Sequence, residues 1–211
     1  MSDFLAAVIL AAGSSSRLGQ PKQLLRLDGK TLLTRTVELA RAAGCDRVIV
    51  VVGANGEAMI DELLGTPVEI VRNEAWQLGM GSSIRAGVAR YFAQPPVSGG
   101  LFLMLCDQPH VSVQTLHRLH AAHIRSGRPV CVSSYGGTIG APVLVAGSRI
   151  ASLLDVPDDR GAKTIWLDNP ADVEPVPCEV AVFDVDLPSD VARMRRAADN
   201  EKIGVSSFAA R

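Results

Sequence analysis

Two cations follow an apolar run in "VILAAGSSSRLGQPKQLL": after Val8–Leu10 come Gly13, three serines, Arg17, Gly19 and Lys22. Small residues let backbone N–H groups close on an anion, and an Arg and a Lys add charge that phosphate oxygens accept. The spacing is not that of the P-loop, because five residues separate Gly13 from Gly19 and Gln20-Pro21 precedes Lys22. Nor does the dinucleotide fingerprint G-x-G-x-x-G occur. Composition alone leaves two readings, a loop wrapped around phosphates or a turn carrying solvated cations.

Carboxylates supply the next candidates. "LFLMLCDQP" ends an apolar run at Asp107. There a carboxylate is placed for Mg²⁺, which takes one or two carboxylates and completes its shell with phosphate oxygens and water. The competing role, capping the next helix, suits Ser112 better. In "VFDVDLPSD", Asp184 and Asp186 fall on one face of an extended segment. One of them can join Asp107, and spacing does not choose between them. Asp190 sits where a carboxylate complements a helix dipole.

In "NEAWQLGMGSSIRAG", Gly79 and Gly81 admit close approach of a flat ligand, Ser82 and Ser83 can cap a helix, and Trp76 reads as a packing residue. His117, His120 and His123, with His110 upstream, recur every three residues. That period drifts round a helix by about 60° per step, so they read as a mostly solvated face and not as a zinc cluster. Cys45, Cys106, Cys131 and Cys178 form no CxxC pair and read as reduced thiols of a cytoplasmic protein, with Cys106 a small core residue.

Alternating strand and helix signals must position these groups. Strands are expected at Leu5–Leu10, Arg47–Val52, Val68–Val71, Leu101–Leu105, Val130–Ser133 and Val180–Asp186. Helices are expected from the Thr31 cap to Gly44, and at Glu57–Leu64, Ser82–Tyr91, Ser112–Ser126 and Pro188–Arg196. After Gly136 the pattern loosens: "YGGTIGAPVLVA" reads as loop and strand, and "DDRGAKTIWLDN" as loop and helix. The order predicts a three-layer α/β fold, a mostly parallel sheet with helices on both faces. One domain over residues 1–196 is expected, with 197–211 a frayed tail. Ligands of such sheets bind beyond the carboxyl ends of the strands, which singles out the loops after Leu10, Val71, Leu105 and Phe183.

Hydrophobic residues make up 47% of the 211, enough for a sizeable core. The net charge of −1 speaks against general attraction to nucleic acid or anionic membranes. The apolar runs are too short to cross a bilayer, and "MSDFLAAVIL" does not read as a signal peptide.

Together these stretches resemble the nucleotidyltransferases of the MobA-like superfamily, most nearly the molybdenum cofactor cytidylyltransferases. The signature LAAG-x-S-x-R-x-G-x-x-K stands complete as Leu10, Ala11, Ala12, Gly13, Ser15, Arg17, Gly19 and Lys22. "NEAWQLGMGSSIRAG" is similar to the base-recognition segment, "CDQP" to the metal-binding motif, "DVDLPSD" to the second acidic motif and "RGAKTI" to a stretch near the acceptor site. Leu187 stands where relatives often carry Thr.

The resemblance implies a Rossmann-like nucleotidyltransferase fold. It implies that Leu10, Ala11, Ala12 and Gly13, with Gly79, Met80 and Ser83, hold base and ribose. Arg17 and Lys22 would hold the triphosphate, and Asp107 and Asp186 the Mg²⁺. The implied reaction moves CMP from CTP to the terminal phosphate of molybdopterin, releasing pyrophosphate. The implied product then passes to a molybdoenzyme of the xanthine dehydrogenase type, with no nucleic-acid or membrane partner. Alternatives are guanylyl transfer to the same cofactor, a sugar-phosphate nucleotidyltransferase, or a non-catalytic cofactor-binding accessory protein.

Overall fold

The computed structural model describes residues 4–94 and 99–196, so the expectation for 197–211 lies outside the described residues. Strand β1 (Leu5–Ala11) is an interior strand of a seven-stranded sheet. On one side lie β4 (Arg47–Val52) and then β5 (Glu69–Arg72); on the other lie β6 (Gly100–Leu105), β8 (Thr138–Ala146), β7 (Val130–Tyr135) and β9 (Val173–Pro177). A separate two-stranded hairpin joins β2 (Arg26–Leu27) to β3 (Lys30–Thr31). Only β8 runs against its neighbours β6 and β7; the other pairings in the large sheet are parallel.

The two-residue alternation of β1 explains its interior place. Ala7, Ile9 and Ala11 face one apolar layer, with Leu33 and Val37 of α1 (Leu32–Ala42), Met59 of α2 (Gly56–Glu62) and Leu116 and Leu119 of α4 (Val113–Ser126). Ala6 and Val8 face the other, with Ile84, Val88 and Tyr91 of α3 (Met80–Phe92), Ile150 of α5 (Arg149–Ser152) and Trp166 of α6 (Lys163–Leu167). A strand apolar on both faces must be covered on both faces. Local chemistry sets the helix ends. Thr31 accepts a hydrogen bond from the Thr34 N–H, Ser112 and Thr115 form a capping box, and Gly127 stops α4 at φ 68°. Among the described residues no helix is long and apolar enough to cross a membrane.

Residues 188–196 are helical, as expected, and form α7. Val180–Asp186 is not a strand. Glu179–Val182 makes a 3₁₀ turn, and the chain then runs irregularly to Asp186. Among the described residues the last strand is instead β9, whose sequence "VEPVP" carries two prolines. Proline cannot donate to a ladder, so it hides a strand from sequence reading, yet it is tolerated here because β9 lies at the sheet edge.

The chain winds from β1 outward to β4 and β5, then returns to β6 on the other flank of β1. The winding therefore reverses between β1 and β6, where Leu10 pairs with Leu105 and the two following loops leave side by side. A third apolar cluster lies beside those loops. Leu18, Leu25, Leu27 and Leu32 bury Val185 and Met194 from the far end of the chain. That packing carries Asp186 to the opening loop.

Candidate active site

Lys22 stands where the three segments meet. Its Nζ lies 2.5 Å from Asp107 Oδ2 and 2.8 Å from Asp186 Oδ1. Arg17, with 70% of its side chain exposed, reaches Asp186 from outside at 2.7 Å. Burial works against the Lys22 ammonium, but Asp107 and Asp186 beside it outweigh that and hold its pKa above the ordinary lysine value. The Lys22 hydrogen bond in turn holds Asp186 below the usual carboxylate range, against partial burial. The Arg17–Asp186 pair is exposed and contributes little to stability, on the order of 0–1 kcal/mol.

The structure separates Asp184 from Asp186. Asp186 takes both cations, whereas burial and then the Asp107 charge push the Asp184 carboxyl up to about 6. Asp107 and Asp186 also form a donor set that suits a hard cation. Asp107 Oδ1 is buried without a hydrogen-bond partner among the described residues. No group of three or more potential protein ligands exists among those residues. Two carboxylates, with the remaining oxygens left to phosphate and water, are what Mg²⁺ prefers.

Gln23 braces the opening loop, a role that sequence reading missed. It is 2% exposed. Its amide nitrogen donates to the carbonyls of Ala11 and Gly13, and its Oε1 accepts from the Ser15 hydroxyl. Ser15, at φ 55°, accepts in turn from the Lys22 N–H. A glutamine within the apolar "PKQLL" is the signal that was available, since a buried amide must find partners.

A cleft of about 340 Å³ opens from this point. Leu10, Ala12, Gly13, Lys22, Asp107, Gly79, Met80 and Ser83 line it, as does Trp76. Ala11 does not; its side chain packs in the core and its carbonyl meets Gln23. Ser82 and Ser83 are not caps either, because α3 already begins at Met80 and their hydroxyls are tied to Asn73.

The two glycines also admit a neighbour that was not expected, although Gly79 lines the cleft as well. A Cβ on Gly79, at φ 124°, would stand 2.4 Å from the Asp158 carbonyl oxygen, and one on Gly81 would stand 1.8 Å from that of Pro157. The chain's own segment Val156–Arg160 crosses the start of α3, held by the Gly81 N–H on the Asp158 carbonyl and by Arg85 on the Val156 carbonyl and the Asp158 carboxylate. Gly81→Ala should therefore lower stability by about 1–3 kcal/mol, the usual cost of overpacking. An unchanged thermal midpoint would show that this strap is not tightly seated.

Of the remaining candidates, Cys106 borders the cleft and the histidines do not line it. His117 is exposed, His123 Nδ1 meets the Arg128 carbonyl at 2.8 Å, and His110 packs beside Phe183. Burial pushes the Cys106 thiol far up, which leaves it inert as a nucleophile.

Residues 7–173 match the family model described as the MobA-like NTP transferase domain. The chain belongs to this family. A Paenarthrobacter nicotinovorans protein named nicotine blue oxidoreductase is 34% identical over 201 residues, covering 90% of this chain and 96% of that one. The Mycobacterium tuberculosis H37Rv protein Rv0371c, solved in complex with manganese, superposes with a TM-score of 0.69 at 29% identity, covering 92% of this chain and 98% of that one. A nucleotidyl transferase from Methanothermobacter shares the fold, with a TM-score of 0.79 at 24% identity over 94% of this chain and 99% of its own. Its MobA-like membership thus makes this protein a nucleotidyltransferase by family.

Proposed function

We propose that this MobA-like protein transfers CMP from CTP to the terminal phosphate of molybdopterin, giving the cytosine dinucleotide and pyrophosphate. The observation that carries this reading is the meeting of Lys22, Asp107 and Asp186 at the foot of a cleft walled by Ala12, Gly79 and Ser83. The complete LAAG signature supports the choice of nucleotide.

No general base is required. A phosphate monoester has a second pKa near 6, so at neutral pH it attacks the α-phosphate of CTP without losing a proton. The chain must align two anions and neutralise them. Lys22 sits where it can contact the triphosphate, and Arg17 adds charge at the rim. Gln23 keeps the loop backbone in place. Asp107 and Asp186 would hold Mg²⁺, which supplies further neutralisation when bound; the manganese complex of Rv0371c supports a divalent ion. The product then passes to a molybdoenzyme of the xanthine dehydrogenase type.

The test is pyrophosphate release with each of the four ribonucleoside triphosphates, with and without molybdopterin. Release that requires CTP and molybdopterin supports the reading, and release with sugar phosphates alone overturns it. The name of the Paenarthrobacter relative favours a second reading, an oxidoreductase using the same cleft. Oxidation of NADH or NADPH by a dye acceptor, with no pyrophosphate release, would establish it instead.

CTP should be preferred over GTP by about a hundredfold, because two mismatched buried polar groups at about 1–3 kcal/mol each amount to that. Ala12 is buried against the layer that holds Ile84 and Trp76, and its methyl narrows the slot. Ala12→Gly should cut the preference about tenfold. Comparison of kcat/KM for the two nucleotides decides: equal use by the parent removes the cytidylyl reading, whereas an unchanged ratio in the variant removes only the role of the methyl.

A further inference from the structure

We infer that Asn73 fixes the direction of the Ser83 hydroxyl and so makes that corner of the cleft a hydrogen-bond donor to the ring N3 of the base. The inference rests on the cytidylyl reading and extends it to the choice between CTP and UTP. A slot narrowed at Ala12 excludes a purine but cannot separate two pyrimidines of equal size.

The geometry sets each proton. The Ala75 N–H donates to Asn73 Oδ1 at 3.0 Å, which decides which end of the amide is oxygen. The amide nitrogen then donates to Ser82 Oγ at 2.8 Å and to Ser83 Oγ at 3.0 Å. A hydroxyl has one proton, and one that accepts from Asn73 must send it elsewhere. Ser82 sends its proton toward the carbonyls of Ala75 and Gly79. Ser83 has no such acceptor in the hydrogen bonds of the described residues, and it lies on the cleft wall. Its proton is therefore offered to a ligand. Asn73, 7% exposed, is not on that wall and acts only through Ser83. It is a positioning residue.

The polarity has a direct consequence. Cytosine N3 is an acceptor and meets the donor, whereas uracil carries a proton on N3, so that two donors oppose each other and both remain unpaired. Binding of CTP and UTP to the full-length protein, by titration calorimetry, tests this. The parent should bind CTP at least tenfold more tightly than UTP. Ser83→Ala should bring the ratio close to one. Asn73→Asp keeps the shape but can only accept, so it draws the Ser83 proton inward and should bring the ratio to one or below. Asn73→Ala frees the hydroxyl to turn either way and should give an intermediate ratio, which serves if Asn73→Asp does not fold. In a Ser83→Ala background neither change at Asn73 should alter the ratio.

A parent ratio of one, or a parent preference that survives in Ser83→Ala or in the folded Asn73 variants, overturns the inference. Tighter binding of GTP than of CTP by the parent overturns the cytidylyl reading instead, and the CTP-to-UTP ratios of the variants still judge Asn73.

Discussion

Asp107→Asn is expected to fold like the parent and to lose about a thousandfold in turnover. The fold should survive because Asp107 holds the neighbouring segment through its backbone, whose carbonyl accepts from the Val185 N–H at 2.9 Å. The substitution leaves that bond intact, and Lys22 keeps Asp186 as a partner. What disappears is one of two carboxylates at the foot of the cleft, the one whose Oδ1 is buried without a partner. A neutral amide is a poor ligand for Mg²⁺ and leaves phosphate charge uncompensated. A loss of about 4 kcal/mol of transition-state stabilisation corresponds to that thousandfold. The check is kcat at saturating Mg²⁺, with circular dichroism to establish the fold. Turnover near that of the parent would remove Asp107 from the metal role.

Lys22→Ala is expected to cost about a hundredfold to a thousandfold in kcat/KM, the range typical of removing one preorganised charge stabiliser. Two effects add. The ammonium that would meet the triphosphate is gone. The carboxylates of Asp107 and Asp186, which Lys22 neutralises at 2.5 and 2.8 Å, are left facing an anionic substrate. Part of the loss should therefore appear as weaker nucleotide binding, and this part should shrink as Mg²⁺ is raised, since the metal screens the same carboxylates. The fall in kcat should persist, because charge shifts in the transition state need the fixed cation. Steady-state kinetics over a Mg²⁺ series separates the two. Unchanged kinetics would make the opening loop a plain turn. Arg17→Ala should be milder, since that side chain is 70% exposed and its pairing with Asp186 is open to solvent.

Much of this was legible in the order of residues. The continuous apolar runs of β1 and β4, the Thr31 cap and the small-residue loop with Arg17 and Lys22 are local, and local pattern and turn chemistry specify them. Asp107 could be placed because a buried strand that ends at a carboxylate delivers it to the carboxyl edge of the sheet.

Only the tertiary structure decided the rest. The family resemblance pointed to Asp186, but its pairing with Lys22, 164 residues away, is made only by the fold, in which Val185 and Met194 bury against Leu18 and Leu25. The prolines of β9 hid a strand that is possible only at an edge, and edge position is a property of the assembled sheet. Gly81 read as room for a ligand until the fold laid Pro157 against it, whereas Gly79 meets Asp158 and still lines the cleft. Gln23 and Asn73 look like ordinary polar residues in sequence. Burial removes the water that would satisfy them, so each must hold the carbonyls or hydroxyls that the fold brings within reach.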